Sequence, residues 1–321
     1  MSDKPVLVIT RKLSQNTEAR AAETYEVRLN PEDRLYSPDE LLAQCAGADA
    51  VIPCHSEIFS TDIVGQLPQS IKIIANHSVG VDHCDLAALK ARGIVVTNTP
   101  DVLSDATAEI AMLLLLGAAR RASEGDQMVR SGAWRHWSPS FMVGHQVTGK
   151  RIGIVGMGRV GQVMAKRARG FDMEVHYHNR SRLPAAQEHG AIYHDDLNSL
   201  LRTSQFLSLH CPATPETTGF LNAERLALLP DGAIVVNTAR GNLIDEPAFI
   251  TALRTGKLAA AGLDVFSSEP GGNPEFASLD NIFMLPHIGS ATFETRDAMG
   301  FRALDNLDTF FAGNEPNDRV A

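Results

Sequence analysis

The chain has few cysteines, no long apolar run and no excess of positive charge, and each shortage removes a class of function. Its 321 residues include four cysteines, Cys45, Cys54, Cys84 and Cys211. They show neither a C-x-x-C pair nor metal-finger spacing, so neither a disulfide framework nor a zinc module is expected, and reduced thiols point to a cytoplasmic protein. The longest apolar run, residues 110–119, is far too short to span a bilayer. The first ten residues, MSDKPVLVIT, lack a basic segment followed by an apolar one, so no signal peptide is expected. A net charge of −9 argues against a nucleic-acid or membrane surface, while leaving room for a small basic pocket. Internal repeats, low-complexity tracts and flexible linkers are also missing.

What the chain does have is enough apolar material for two cores. It exceeds the length at which one core usually divides, and 44% of its residues are hydrophobic. Apolar runs at 151–155, 205–210, 233–237, 258–264 and 282–285, with a further strand at 174–178, are separated by helix-length segments, the pattern of a six-stranded parallel sheet. Runs at 6–10, 50–53, 71–75 and 94–97 give a second, smaller α/β set. Residues 101–121 join the halves as a helix that is apolar nearly all round and therefore buried, with Ser104 and Asp105 as candidate caps. A last helix is expected from 291 to about 312.

The most telling local pattern follows the first strand of the larger set. Gly156-Met157-Gly158-Arg159-Val160-Gly161 is a G-x-G-x-x-G turn between a strand and a helix, the context of a dinucleotide fingerprint. The first glycine permits the turn and the second lets backbone approach a pyrophosphate. The third lets the helix pack on the strand, placing the diphosphate at the helix N-terminus. After the next strand an NAD site normally offers an acidic side chain to the ribose 2′-hydroxyl. This chain has Asn179-Arg180-Ser181-Arg182, two cations and two neutral donors that suit a 2′-phosphate, so NADP(H) is expected over NAD(H).

Four further blocks carry a resemblance that covers the whole chain. They are Ser78-Val79-Gly80-Val81-Asp82, Asn237-Thr238-Ala239-Arg240-Gly241, the run from Gly262 through Asp264 to Glu269-Pro270, and Pro286-His287-Ile288-Gly289-Ser290-Ala291-Thr292. With the fingerprint between them, the chain resembles the D-isomer-specific 2-hydroxy-acid dehydrogenases. That resemblance implies a Rossmann-type doubly wound cofactor domain, residues 100–290. The domain would be inserted in a smaller flavodoxin-like α/β substrate domain, residues 1–99 and 291–321.

The resemblance also assigns roles. Arg240 clamps a carboxylate and polarises the adjacent carbonyl, for which a planar guanidinium suits better than lysine. His287 is the general acid in reduction and the base in oxidation, and Glu269 fixes its tautomer. Val79, Gly80, Ser290 and Trp137 line the substrate, Trp137 from a neighbouring subunit of a homodimer. Thr107, Cys211, Pro212, Thr217, Thr238, Ala239, Asp264 and Gly289 join Arg240, His287 and the 156–161 and 179–182 loops around the cofactor. No metal is implied. Asp82 and Asp85 read as helix caps.

The segment Trp134-Arg135-His136-Trp137-Ser138-Pro139 resembles the glyoxylate/hydroxypyruvate reductase branch. An NAD-dependent D-2-hydroxy-acid dehydrogenase and a 2-ketogluconate reductase fit the same motifs. A dinucleotide-sensing interaction protein is the alternative of another class, since co-repressors share this fold.

Overall fold

A computed structural model describes residues 4–321. The chain forms two compact units, Met1–Leu103 with Ser290–Ala321, and Ser104–Gly289. The joints fall a few residues after position 99 and one residue before position 291, so Ser290 belongs to the first unit.

Unit 1 runs β1 (Val6–Ile9), α1 (Gln15–Thr24), β2 (Glu26–Arg28), α2 (Pro38–Cys45), β3 (Ala50–Ile52), α3 (Thr61–Gln66), β4 (Ile73–Ala75), α4 (Leu86–Ala91) and β5 (Val95–Thr97). Its sheet has the order β2-β1-β3-β4-β5, all pairs parallel, which is the flavodoxin-like order. Alternate residues feed opposite faces. Val8, Val51, Ile74 and Val96 form one core, and Leu7, Ile9, Ile52 and Ile73 another. Ser37 and Glu40 make a capping box that starts α2, and Asp85 caps α4 through Ala88 N–H at 2.9 Å.

Unit 2 opens with α5 (Ser104–Ala119) and α6 (Ala122–Arg130), then β6 (Arg151–Val155), α7 (Arg159–Arg169), β7 (Glu174–His178), α8 (Ala185–Glu188), β8 (Ile192–Tyr193) and α9 (Leu197–Thr203). It continues with β9 (Phe206–Leu209), α10 (Ala223–Leu228), β10 (Ala233–Asn237), α11 (Glu246–Arg254), β11 (Leu258–Leu263) and β12 (Ile282–Met284). The parallel sheet is ordered β12-β11-β10-β9-β6-β7-β8, a Rossmann-type double winding with its direction reversing between β6 and β9. Ile152, Ile154, Ile234 and Val236 face α5 and α7, and Val155, Leu207, Leu209 and Val235 face the other helices. Burial on both faces explains the unbroken apolar strands. Helix α5 starts at Ser104, so Ser104 and Asp105 lie within its first turn instead of capping it, and Asp105 pairs with Arg167 at 2.9 Å. The last helix, α12 (Phe293–Phe311), returns to unit 1, where Ala303, Leu304 and Leu307 join the core beside α1. Among the described residues no helix is long and apolar enough to cross a membrane.

Candidate active site

The glycine turn after β6 assigns a separate task to each glycine. Gly156 has φ 93°, and a Cβ there would lie 2.5 Å from Cys211 N, against the loop that follows β9. A Cβ on Gly161 would overlap the Gly156 carbonyl oxygen. Both are dictated by the protein's own packing. Gly158 is different: it is exposed, and a Cβ there would meet nothing within 4 Å. Beyond it lies the N-terminus of α7, which no side chain caps. An open approach to helix N–H groups suits a phosphate. Met157 is buried beneath the turn, Arg159 is exposed and Val160 is half-buried.

These differences separate two substitutions. Gly161→Ala overpacks the strand–helix contact and is expected to cost about 1–3 kcal/mol of stability. Gly158→Ala should melt like the wild type yet weaken dinucleotide binding on the order of tenfold. Thermal melts and a dinucleotide titration check both, and a strongly destabilised Gly158→Ala would contradict the assignment.

After β7 the two arginines part company. Arg182 grips Glu188 through Nε at 2.8 Å and Nη2 at 3.0 Å, and Tyr177 OH donates to the same carboxylate at 2.7 Å. These partners hold buried Glu188 down at about pKa 2, the Arg182 hydrogen bond contributing most. The Arg182 guanidinium also lies 5.7 Å from the Tyr193 ring. Its first task is therefore to brace the loop. Arg180 is exposed and makes no hydrogen bond or ion pair among the described residues. Asn179 closes the turn onto Ser181 O at 3.1 Å, with Ser181 exposed beside it.

The loop after β10 is built on Asn237. This fully buried amide accepts from Ala239 N–H at 2.9 Å and donates to Arg240 O at 2.8 Å. Arg240 is thereby held in extended backbone, half-buried, with Nη1 donating to Ala239 O at 2.8 Å. A Cβ on Gly241 would overlap the Phe266 carbonyl, so this glycine lets the Arg240 loop press against the loop after β11. Thr238 Oγ1 is buried without a partner among the described residues. A buried hydroxyl left unpaired is costly unless a ligand satisfies it, which fits a cofactor contact.

His287 and Glu269, eighteen positions apart, meet: His287 Nδ1 lies 2.6 Å from Glu269 Oε2. Glu269 Oε1 accepts Phe266 N–H at 2.7 Å, which fixes the carboxylate's direction. His287 itself has φ 54°, a left-handed conformation costing a non-glycine residue roughly 1–2 kcal/mol. Asp264 holds it there. The Asp264 carbonyl accepts His287 N–H at 2.8 Å, while its carboxylate accepts Ile288 and Gly289 N–H at 2.8 and 2.7 Å. Burial raises the Asp264 pKa, and those N–H groups oppose the rise. Both Asp264 oxygens thus serve the 287–289 turn, a positioning task the sequence motif did not disclose. A Cβ on Gly289 would lie 3.1 Å from Asp264 and 3.5 Å from Thr107, so Thr107 sits beside the same turn.

Around the loop after β9, burial pushes the Cys211 thiol up to about pKa 11 and so keeps it neutral. Thr217 Oγ1 donates to Pro212 O at 2.8 Å and accepts from Thr214 N–H at 2.7 Å, shaping that loop from within. In unit 1, Val79 is exposed and Gly80 half-buried on the loop after β4, and Ser290 precedes α12. Trp137 is 74% exposed and Trp134 54%, on the segment between α6 and β6.

Comparison with known proteins shows which family the chain resembles. The family profile "D-isomer specific 2-hydroxyacid dehydrogenase, NAD binding domain" matches residues 112–289. The chain is 45% identical to a glycerate dehydrogenase of Hyphomicrobium methylovorum, over the full length of both. It is 43% identical to a glyoxylate reductase of Pyrococcus furiosus, over 98% of this chain and 94% of that one. Among solved structures, an NADPH-dependent glyoxylate/hydroxypyruvate reductase from Sinorhizobium meliloti, in complex with NADP and malonate, superposes with a TM-score of 0.88 at 31% identity. That match covers 99% of this chain and 97% of the other.

Proposed function

The chain belongs to the D-isomer-specific 2-hydroxyacid dehydrogenases, and on that footing we propose that it is an NADPH-preferring reductase of small 2-oxo acids, converting glyoxylate to glycolate and hydroxypyruvate to D-glycerate. The observation that carries the chemistry is the 2.6 Å His287–Glu269 contact, held by a strained backbone that Asp264 braces. A bound reduced nicotinamide supplies the hydride to C2. Because Nδ1 is committed to Glu269, Nε2 is the ring atom that delivers the proton to the developing alkoxide. Glu269 then faces the ring nitrogen that keeps its proton, stabilising the protonated ring before transfer and orienting it afterwards. Arg240 binds the carboxylate and polarises the carbonyl. Val79, Gly80 and Ser290 of unit 1 are assigned to substrate binding. Among relatives, the reductases of glyoxylate and the glycerate dehydrogenase support this substrate class.

Dinucleotide contacts are assigned to the 156–161 turn, Thr107, Cys211, Pro212, Thr217, Thr238, Ala239, Arg240, Asp264, His287 and Gly289. The 2′-phosphate falls to Arg180, with Asn179 and Ser181 as neutral donors and Arg182 as the brace. Arg180→Ala is expected to lower kcat/KM for NADPH by about 10–100-fold, the value of a charge-assisted contact, and to leave NADH nearly unchanged. Arg182→Ala should instead lower the melting temperature. Steady-state rates with both cofactors test the pair, and a wild type that prefers NADH contradicts the NADPH assignment.

The exposed Trp134, Trp137, Val129 and Leu113 of unit 2 support a homodimer in which Trp137 narrows the neighbouring subunit's pocket. A cytoplasmic enzyme with its thiols reduced fits this reading.

A further inference from the structure

One partly buried cation of unit 1 stands without an anionic partner among the described residues. Arg296 stands in the first turn of α12, half-buried, and its guanidinium makes no hydrogen bond or ion pair among the described residues. Nearby acids are engaged elsewhere. Asp297 accepts from Asn16 at 2.7 Å, and buried Glu57 accepts from Thr10, Ser56 and the Cys54 N–H at 2.7–2.8 Å. Two groups feel the Arg296 charge, His77 and the Cys54 thiol, and burial pushes the thiol's own pKa up to about 12, so it offers no counter-charge near neutrality. A cation partly withdrawn from water without an anion is costly, and here burial lowers the guanidinium's pKa.

The surroundings are short of acceptors as well. His77 Nε2 lies 3.4 Å from the Arg296 carbonyl, and its buried Nδ1 has no partner among the described residues. Burial, aided by the Arg296 charge, holds His77 down at about pKa 4, so it is neutral. The next residues, Ser78 through Val81, donate their backbone N–H groups to no described acceptor. Cys54 follows β3 and His77 follows β4, so these groups gather at the carboxyl ends of two neighbouring parallel strands, the edge where such sheets bind ligands. A row of unpaired N–H groups and an uncompensated guanidinium share one preference, an anion.

We propose that Arg296 is a substrate-binding residue, kept uncompensated for the carboxylate of the 2-oxo acid, so that unit 1 carries its own anion receptor made of this guanidinium and the 78–81 amides. The proposal rests on the 2-oxo-acid reading of the protein. It makes an unusual demand: removing the charge should not destabilise the protein, because the folded state loses an unpaid desolvation cost.

The test compares the full-length wild type with Arg296→Met and Arg296→Lys at saturating dinucleotide, using oxalate as the anion probe. Arg296→Met is expected to melt no lower than the wild type without oxalate and to lose the oxalate-induced rise in melting temperature that the wild type shows. Its KM for both glyoxylate and hydroxypyruvate should rise about 10–100-fold, as for one lost charge-assisted contact, with kcat changed far less. Arg296→Lys should recover part of the affinity. A lower melting temperature with unchanged KM and an intact oxalate shift would make Arg296 structural and overturn the proposal. If the wild type reduces no 2-oxo acid, the functional reading fails, and the oxalate shift still decides for or against the anion receptor.

Discussion

Replacing His287 by alanine is expected to lower kcat by about 10²- to 10⁴-fold, the usual contribution of a positioned acid–base group, while dinucleotide binding stays close to that of the wild type. The reason lies in how the side chain is held. Its Nδ1 is fixed by Glu269 at 2.6 Å, and its backbone is kept at φ 54° by three hydrogen bonds to Asp264. That restraint serves the imidazole, and alanine leaves the turn intact but supplies no proton. Asp264→Asn provides the companion result: an amide can accept at only one of the two carboxylate positions, so the turn loosens and the rate falls without loss of the imidazole. Single-turnover rates and a fluorescence titration with NADPH check the pair. A His287→Ala enzyme turning over within a few-fold of the wild type would remove His287 from the chemistry.

Arg240→Ala is expected to reduce kcat/KM by about 10²- to 10⁴-fold, the effect of losing a charged, two-pronged contact to carboxylate and carbonyl. Here KM should rise and kcat fall together, because the guanidinium binds the ground state and polarises the reacting bond. Folding should survive, since the loop is fastened by Asn237 and by the close approach at Gly241. Arg240→Lys should rescue little, a point charge being a poor substitute for a planar fork. An Arg240→Ala variant with normal KM for both acids would shift the carboxylate to other groups.

Much of this arrangement was legible in the sequence because it is encoded in residues with narrow conformational or chemical choices. The glycines at 156, 158 and 161 and the apolar strands buried on both faces announce themselves locally, whereas the roles of Arg240, Glu269 and His287 were implied only by the resemblance that their blocks carry. Two short outer strands did not announce themselves. Glu26–Arg28 and Ile192–Tyr193 have only three and two residues, too few to show a period, and each lies at a sheet edge with one neighbour. The fate of Arg182 was equally hidden. Two arginines on one loop look equivalent until α8 places Glu188 beneath one of them, and nothing in the spacing announces that a carboxylate six positions on is buried. Asp264 and Arg296 illustrate the same limit from opposite sides. One is fully paired by a turn 23 to 25 residues away, and the other is distinguished by the partners it does not have, a property that exists only in three dimensions.

The most direct test of the account is the oxidation of NADPH and of NADH, followed at 340 nm, with glyoxylate, hydroxypyruvate, pyruvate, phenylpyruvate and 2-ketogluconate. The account predicts fast turnover of glyoxylate and hydroxypyruvate with NADPH and slower turnover with NADH. Turnover confined to NADH or to the bulky acids would contradict it, as would bound dinucleotide with no turnover of any of the five.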